Sequence, residues 1–126
     1  MAQSTKSKII CFVSTRQPAK TREFYEGTLE LKFVSEDPFA IVFDVEGTML
    51  RVQKVQELNP PKHTVTGWEV ADIGGRMREL IGKGVRFERF PGSTQDESGA
   101  WTTPSGAKVA WFKDPDGNIL SLTQFK

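Results

Sequence analysis

The side chains best suited to chemistry in this chain are a carboxylate, a guanidinium, a few hydroxyls and amides, and a set of large aromatic rings, most of them on segments that read as β-strands. Glu69 lies in the run HTVTGWEV. In an apolar cleft a carboxylate can act as a general base once burial raises its pKa, or can bind a cationic group. No acid partner is placed for Glu69, and the plainer role is a paired or solvated carboxylate. Arg51, in TMLRVQKV, can grip a carboxylate or phosphate through two parallel hydrogen bonds. It can equally form a structural ion pair, for example with Glu69. Gln53, Ser121 and Thr123 can orient a ligand, or satisfy one another and ordered water. His63 follows Pro60-Pro61 and reads as a surface histidine rather than a catalytic one. It has the same strand parity as Glu69, but the two are about 20 Å apart along an extended chain, too far to share a metal.

Phe12, Trp101 and Trp111 can stack on a flat ligand, worth up to ~1.5 kcal/mol per pair beyond area burial, or can pack in a core or dimer interface. Trp68, Phe24, Phe43 and Phe112 are assigned to the core. Cys11 takes the helix-facing side of its strand and is expected to be inert, since a nucleophile needs exposure and a depressed pKa.

Several elements must position these residues. Lys8–Ser14 is an apolar, β-rich run. A helix over about 17–27 follows, with Pro18 in its first turn and Gly27 near its stop. LKFVS, FAIVFD and TMLRVQKV, separated by the turns EDP and VEG, complete a β-α-β-β-β unit. Residues 55–63 (VQELNPPKH) read as a linker. The pattern then restarts. TVTGWEV is a strand, and ADIGGRMRELIGKG is a helix with Asp72 as N-cap and Gly84 as C-cap. VRFERF is a strand, PGSTQDESGA a loop without apolar anchors, and AWTTP a short edge strand. KVAWFK and NILSLTQF close the second unit. The loop 91–100 is either a lid or, more in keeping with how loops behave, a mobile surface segment.

The two halves are similar to each other. Setting 41–54 against 110–124, with one residue inserted in the turn, puts Phe43 on Phe112, Met49 on Ile119, Leu50 on Leu120, Arg51 on Ser121 and Val52 on Leu122. Setting 9–17 against 64–72 puts Val13 on Trp68. Alternation then predicts which way side chains point. Leu50, Val52, Leu120 and Leu122 face the helices. Ile10, Phe12, Met49, Arg51, Gln53, Val65, Glu69, Ser121 and Thr123 face the other side. Each module is expected to bury its helix-facing side separately, so that the remaining faces curl toward each other around a cleft.

Composition bounds the partners. The chain of 126 residues has 17 basic and 16 acidic side chains, a formal charge of +1, and 37% hydrophobic residues. No basic stripe argues for nucleic acid, and no apolar run approaches the roughly 20 residues needed to span a bilayer. The run in MAQSTKSKIICFV is too short for a signal peptide, and one cysteine makes no internal disulfide. A cytoplasmic protein is expected.

REFYEGTLEL after the first strand, WEVADI opening the second half and FKDPDGNILSL near the end resemble the vicinal oxygen chelate superfamily, which holds glyoxalase I, the bleomycin and fosfomycin resistance proteins and extradiol dioxygenases. The resemblance covers nearly the whole chain. It implies an α+β fold in which two βαβββ modules form a curved mixed sheet around a cleft, with the helices outside. It implies one domain, with module one at about 7–54 and module two at about 64–125. Enzymes of this group usually hold a divalent metal through His, Glu or Gln on the first and last strands of each module. Carried over by position, those places fall on Ile10, near Arg51, on Val65 and on Ser121. Isoleucine and valine have no donor atom, a serine hydroxyl is a poor ligand, and arginine would repel the ion. The resemblance therefore implies a member with no metal and no other cofactor, binding a small organic molecule and forming a homodimer; the side chains read above as its ligand contacts are Phe12, Arg51, Gln53, Glu69, Trp101, Trp111 and Ser121. Two alternatives stand beside it. One is a lyase, isomerase or dioxygenase-type enzyme with a displaced metal site or Glu69 as a bare base. The other is an accessory dimer without a ligand.

Overall fold

The computed structural model describes residues 6–126. The N-terminal run weighed as a signal peptide begins in residues 1–5, which lie outside the described residues. The first module contains β1 (Ile10–Thr15), α1 (Pro18–Arg22), a π-helical stretch (Glu23–Thr28), β2 (Lys32–Glu36), β3 (Ala40–Val45) and β4 (Thr48–Lys54). The second contains β5 (Thr64–Glu69), α2 (Ile73–Gly82), β6 (Trp101–Thr102), β7 (Lys108–Lys113) and β8 (Ile119–Gln124). The fold is α+β. Two four-stranded mixed sheets run β1-β4-β3-β2 and β5-β8-β7-β6, each with its first strand parallel to its last. β1 and β5 adjoin at the seam between the sheets without sharing a ladder.

The internal duplication holds at the level of individual ladder pairs. Phe43 faces Leu50 in one sheet and Phe112 faces Leu120 in the other. Val42–Arg51 corresponds to Trp111–Ser121, and Val13–Val52 to Trp68–Leu122. The alternation also holds in β4, where Leu50 and Val52 are buried and Met49 and Gln53 are exposed. The turn chemistry is local. Gly47 and Gly117 both take a left-handed φ of 89°, where a Cβ would be strained. Asp72 caps α2 by accepting the Gly75 N–H at 3.1 Å, and Gly84 follows its last turn at φ 94°.

The helix-facing sides are not buried separately. Val13, Tyr25, Phe43 and Leu50 of the first module form one contiguous cluster with Met77, Leu80, Phe112 and Leu120 of the second. The reason is the placing of the first helical segment, whose rings touch both sheets. Tyr25 lies 5.9 Å from Phe43, and Phe24 lies 6.4 Å from Phe112. The segment predicted as a helix over 17–27 is α-helical only to Arg22. It then widens into π-helical turns, with the Leu29 N–H donating to the Phe24 carbonyl five residues back. That wider turn keeps the successive rings Phe24 and Tyr25 both on the core side. The two helical segments are tied to each other, since Arg76 donates to the Leu29 carbonyl at 3.1 Å and Lys83 to those of Gly27 and Thr28 at 3.3 Å.

Two further expectations are corrected. VRFERF does not form a strand. Phe87 makes a single bridge to Phe112, and the run ends because the Gln95 side chain takes the Glu88 carbonyl and the Phe90 N–H, both at 2.8 Å. The face assigned to Val65 is also wrong. A bulge in β5 sets Thr64 opposite Ile119 and Thr66 opposite Leu120, and Val65, left over, packs against the core cluster. Among the described residues no helix is long and apolar enough to cross a membrane.

Candidate functional site

Because one face of each sheet is spent on the common core, the opposite faces stay open. On the first sheet the open face is apolar around a guanidinium. Phe12 of β1 and Val42 of β3 flank Arg51 of β4 in the ladder, and Ile10 sits beside Met49. Phe12 is 49% exposed and Ile10 43%. Among the described residues no carboxylate comes within ion-pair distance of Arg51, so the expected pairing with Glu69 is not formed. Gln53, two residues along β4, is exposed opposite Ala40.

On the second sheet the open face is aromatic. Ser121 lies between Gly67 of β5 and Trp111 of β7. Trp111 stacks on Trp101 with ring centroids 6.2 Å apart at 29°, and Phe90 meets it edge-on at 5.3 Å and 86°. Ser121 is buried, and a glycine at 67 makes that possible, because a Cβ there would overlap the serine Oγ. The structure thus brings together Trp101, Trp111 and Ser121. Phe12, Arg51 and Gln53 stand on the other sheet. Phe90 joins the shelf although the sequence reading placed it in a strand; its one signal was a bulky ring just before Pro91-Gly92.

The remaining candidates lie elsewhere. Glu69 sits opposite Thr123, exposed, and lines a cavity at the seam between the modules. His63 is exposed, with Nδ1 3.2 Å from the Thr64 carbonyl oxygen. Cys11 packs partly buried against the core, on the side expected. The loop 91–100 is tied down rather than free. Gln95 clasps Glu88, Phe90 and Gly99, and the Asp96 carboxylate accepts the N–H groups of Ser98, Gly99 and Ala100. Those hydrogen bonds, with that from the Ser98 hydroxyl first, hold the Asp96 carboxyl below its ordinary range.

Two groups at the module junction, Asp114 and Tyr25, are shifted upward. Burial pushes the Asp114 carboxyl up and, with the Asp114 charge beside it, pushes the Tyr25 hydroxyl well up. Their hydrogen bond holds the β7–β8 turn against the π-helical stretch.

Whether a divalent ion suits this framework can be judged from its donors. By ladder register the position matching Ile10 is Thr64, not Val65. The corners are then an isoleucine, an arginine, a threonine and a buried serine, a donor set that does not fit a divalent cation. Among the described residues no three His, Cys, Asp or Glu side chains converge on one point.

The model of the glyoxalase/bleomycin resistance protein/dioxygenase superfamily matches residues 10–122. The chain belongs to this superfamily. Among curated proteins none matches it. Solved members of similar fold include a glyoxalase-family protein of Bacillus anthracis, at TM-score 0.77 and 17% identity over 100% of both chains. A lactoylglutathione lyase of Agrobacterium tumefaciens matches at TM-score 0.75 and 13% identity, over 96% of this chain and 95% of that one. TioX of Micromonospora sp. ML1 matches at 0.72 and 11%, over 95% and 99%. At such identities the likeness establishes the shared glyoxalase-superfamily fold.

Proposed function

We propose that the protein is a small-molecule binding member of the superfamily that works without a metal and takes a flat aromatic ligand on the Trp101–Trp111 shelf. The observation that supports this reading is the stacked tryptophan pair beside Ser121, the place where the superfamily's enzymes carry their final carboxylate. An indole face stabilises a flat ring without a specific hydrogen-bond pattern. The Ser121 hydroxyl, next to Trp111, offers one polar contact to orient it.

The unit that binds is a homodimer. The neighbouring half-exposed side chains of Ile10, Phe12 and Met49 make an apolar surface of the kind that partner chains cover. With such a face set opposite the shelf of a second copy, Arg51 meets an acidic group on the ligand. An aromatic carboxylate satisfies both surfaces.

Metal analysis and ligand titration test the reading together. The purified protein is expected to hold under about a tenth of an equivalent of any transition metal, given the donors at the four positions. A flat aromatic carboxylate such as 2-naphthoate is expected to quench tryptophan fluorescence and to raise the melting temperature. At 100 times its dissociation constant it adds about 2.7 kcal/mol. Stoichiometric zinc, nickel, iron or manganese would overturn the proposal in favour of a metal-dependent lyase or dioxygenase. Silence across a panel of flat acids would leave a scaffold without a ligand.

A further inference from the structure

The two ends of the seam between the modules are built differently, and the difference leaves a cavity. At one end the turn Asp114–Asn118 is clasped to the first module. Asp116 accepts from Thr15 at 2.5 Å and Thr21 at 3.0 Å, and the Asn118 side chain donates to the Ser14 carbonyl at 2.9 Å. By the internal duplication, the turn Asp44–Thr48 occupies the corresponding place at the other end. Among the described residues it makes no hydrogen bond to β5. The space between them is a cavity of ≈ 290 Å³, near the lower end of the range that holds a small ligand.

Its lining is chemically one-sided. Cys11, Met49, Leu50 and Trp68 give apolar and aromatic walls, and Glu46 and Glu69 supply carboxylates. Among the described residues no lysine, arginine or histidine lines it. Neither glutamate has an ion-pair partner among the described residues. Glu46 is held in place by its backbone. It takes a left-handed φ of 48° in a turn whose Gly47 N–H donates to Asp44 at 3.1 Å. Arg76, which lines a smaller adjoining cavity, is engaged by the Leu29 carbonyl and Glu79.

We infer that this seam cavity is a second binding site, distinct from the tryptophan shelf, for a small organic cation, an aromatic or alkyl amine whose apolar body fills the pocket and whose ammonium group meets Glu46 and Glu69. Burying the apolar body supplies the driving force. The two carboxylates and the Trp68 ring select positive charge over negative. A ligand seated here bridges β4 and β5, and so does for this end of the seam what Asp116 and Asn118 do for the other.

Cys11 is the chain's one cysteine and lines the cavity, so its alkylation reports occupancy. The probes are 2-phenylethylamine, 2-phenylethanol and phenylacetate, which share a body and differ in charge. The amine is expected to bind saturably by calorimetry and to slow carbamidomethylation of Cys11 by iodoacetamide. The alcohol is expected to bind about fivefold more weakly and phenylacetate not measurably, as partly exposed ion pairs allow. Both glutamates are exposed, so Glu46→Gln with Glu69→Gln should fold normally and bind amine and alcohol alike. The assignment is overturned if the amine neither binds nor protects Cys11, if the three probes bind equally, or if the double variant keeps its preference for the amine. Calorimetry decides should the thiol react too slowly to follow.

Discussion

The Tyr25 hydroxyl donates to Asp114 at 2.7 Å, inside the protein and across 89 positions of chain. Asp114 also accepts from the Asn118 side chain and from the N–H groups of Asp116 and Asn118, each at 2.9 Å. One carboxylate therefore organises the β7–β8 turn and joins it to the first helical segment. Tyr25→Phe removes one of four donors and is expected to cost about 1–2 kcal/mol. Asp114→Ala leaves the phenol and the turn amides without partners and is expected to cost about 3 kcal/mol or more. Urea midpoints of the two variants measure this, and equal, negligible shifts would show that the junction carries no stability.

Asp116 makes stability depend on pH. Burial pushes its carboxyl up, but hydrogen bonds from Thr15, the Arg16 N–H and Thr21 outweigh burial and hold it below its ordinary value of 3.8. A depressed folded-state pKa means that the contribution is present above the unfolded value and is lost as pH falls through the folded one. Asp114 acts in the opposite sense. Its raised pKa means that it loses stability as pH rises through its folded value. Thermal melts of Asp116→Asn should therefore fall less steeply than wild type as the pH is taken below 3.8. A slope equal to wild type would remove Asp116 as a source.

Gly67 and Ser121 constrain each other. A Cβ at position 67 would overlap the serine Oγ, while the Ser121 Cβ lies 3.7 Å from that point, an ordinary contact. Gly67→Ala is expected to destabilise by about 1–3 kcal/mol, as overpacking does. Adding Ser121→Ala should recover part of the loss, since the Ser121 carbonyl oxygen stays 3.3 Å from that point, giving a favourable coupling of about 1 kcal/mol in a double-mutant cycle. Simple additivity of the two changes would show that the hydroxyl is not the obstruction.

Gln95 holds the loop that carries Phe90 to the tryptophan shelf, accepting the Phe90 N–H and donating to the Glu88 and Gly99 carbonyls at 2.7–2.8 Å. Gln95→Ala is expected to raise amide exchange across 90–100 about tenfold or more while leaving the β8 amides unchanged. Protection retained in the loop would mean that Asp96 alone suffices.

If a second copy covers the face around Phe12, Phe12→Asp should weaken dimerisation by about tenfold or more, since it places a charge in an apolar contact. Sedimentation across a concentration series reads this directly. A wild-type protein that stays monomeric at high concentration would refute the dimer.

Much of this protein was legible in its local pattern. Period-two alternation put Leu50, Val52, Leu120 and Leu122 in the core and Arg51 on the open face, because successive strand residues must point to opposite sides. The glycines of the turns marked the hairpins, and the repeat showed two modules whose ladders then matched pair by pair. What the tertiary structure alone decided depends on groups far apart in the chain or on one side chain capturing backbone. Phe24 on Phe112 and Tyr25 on Phe43 joined two expected cores into one. Gln95 took the hydrogen bonds that VRFERF needed to continue as a strand and brought Phe90 to the tryptophans. A one-residue bulge turned Val65 inward, and the separation of β4 and β5 into two sheets set Glu69 at a seam cavity rather than beside Arg51. Alternation is a property of neighbouring residues, whereas bulges, clasps and seams arise only where distant segments compete for the same space and the same hydrogen bonds.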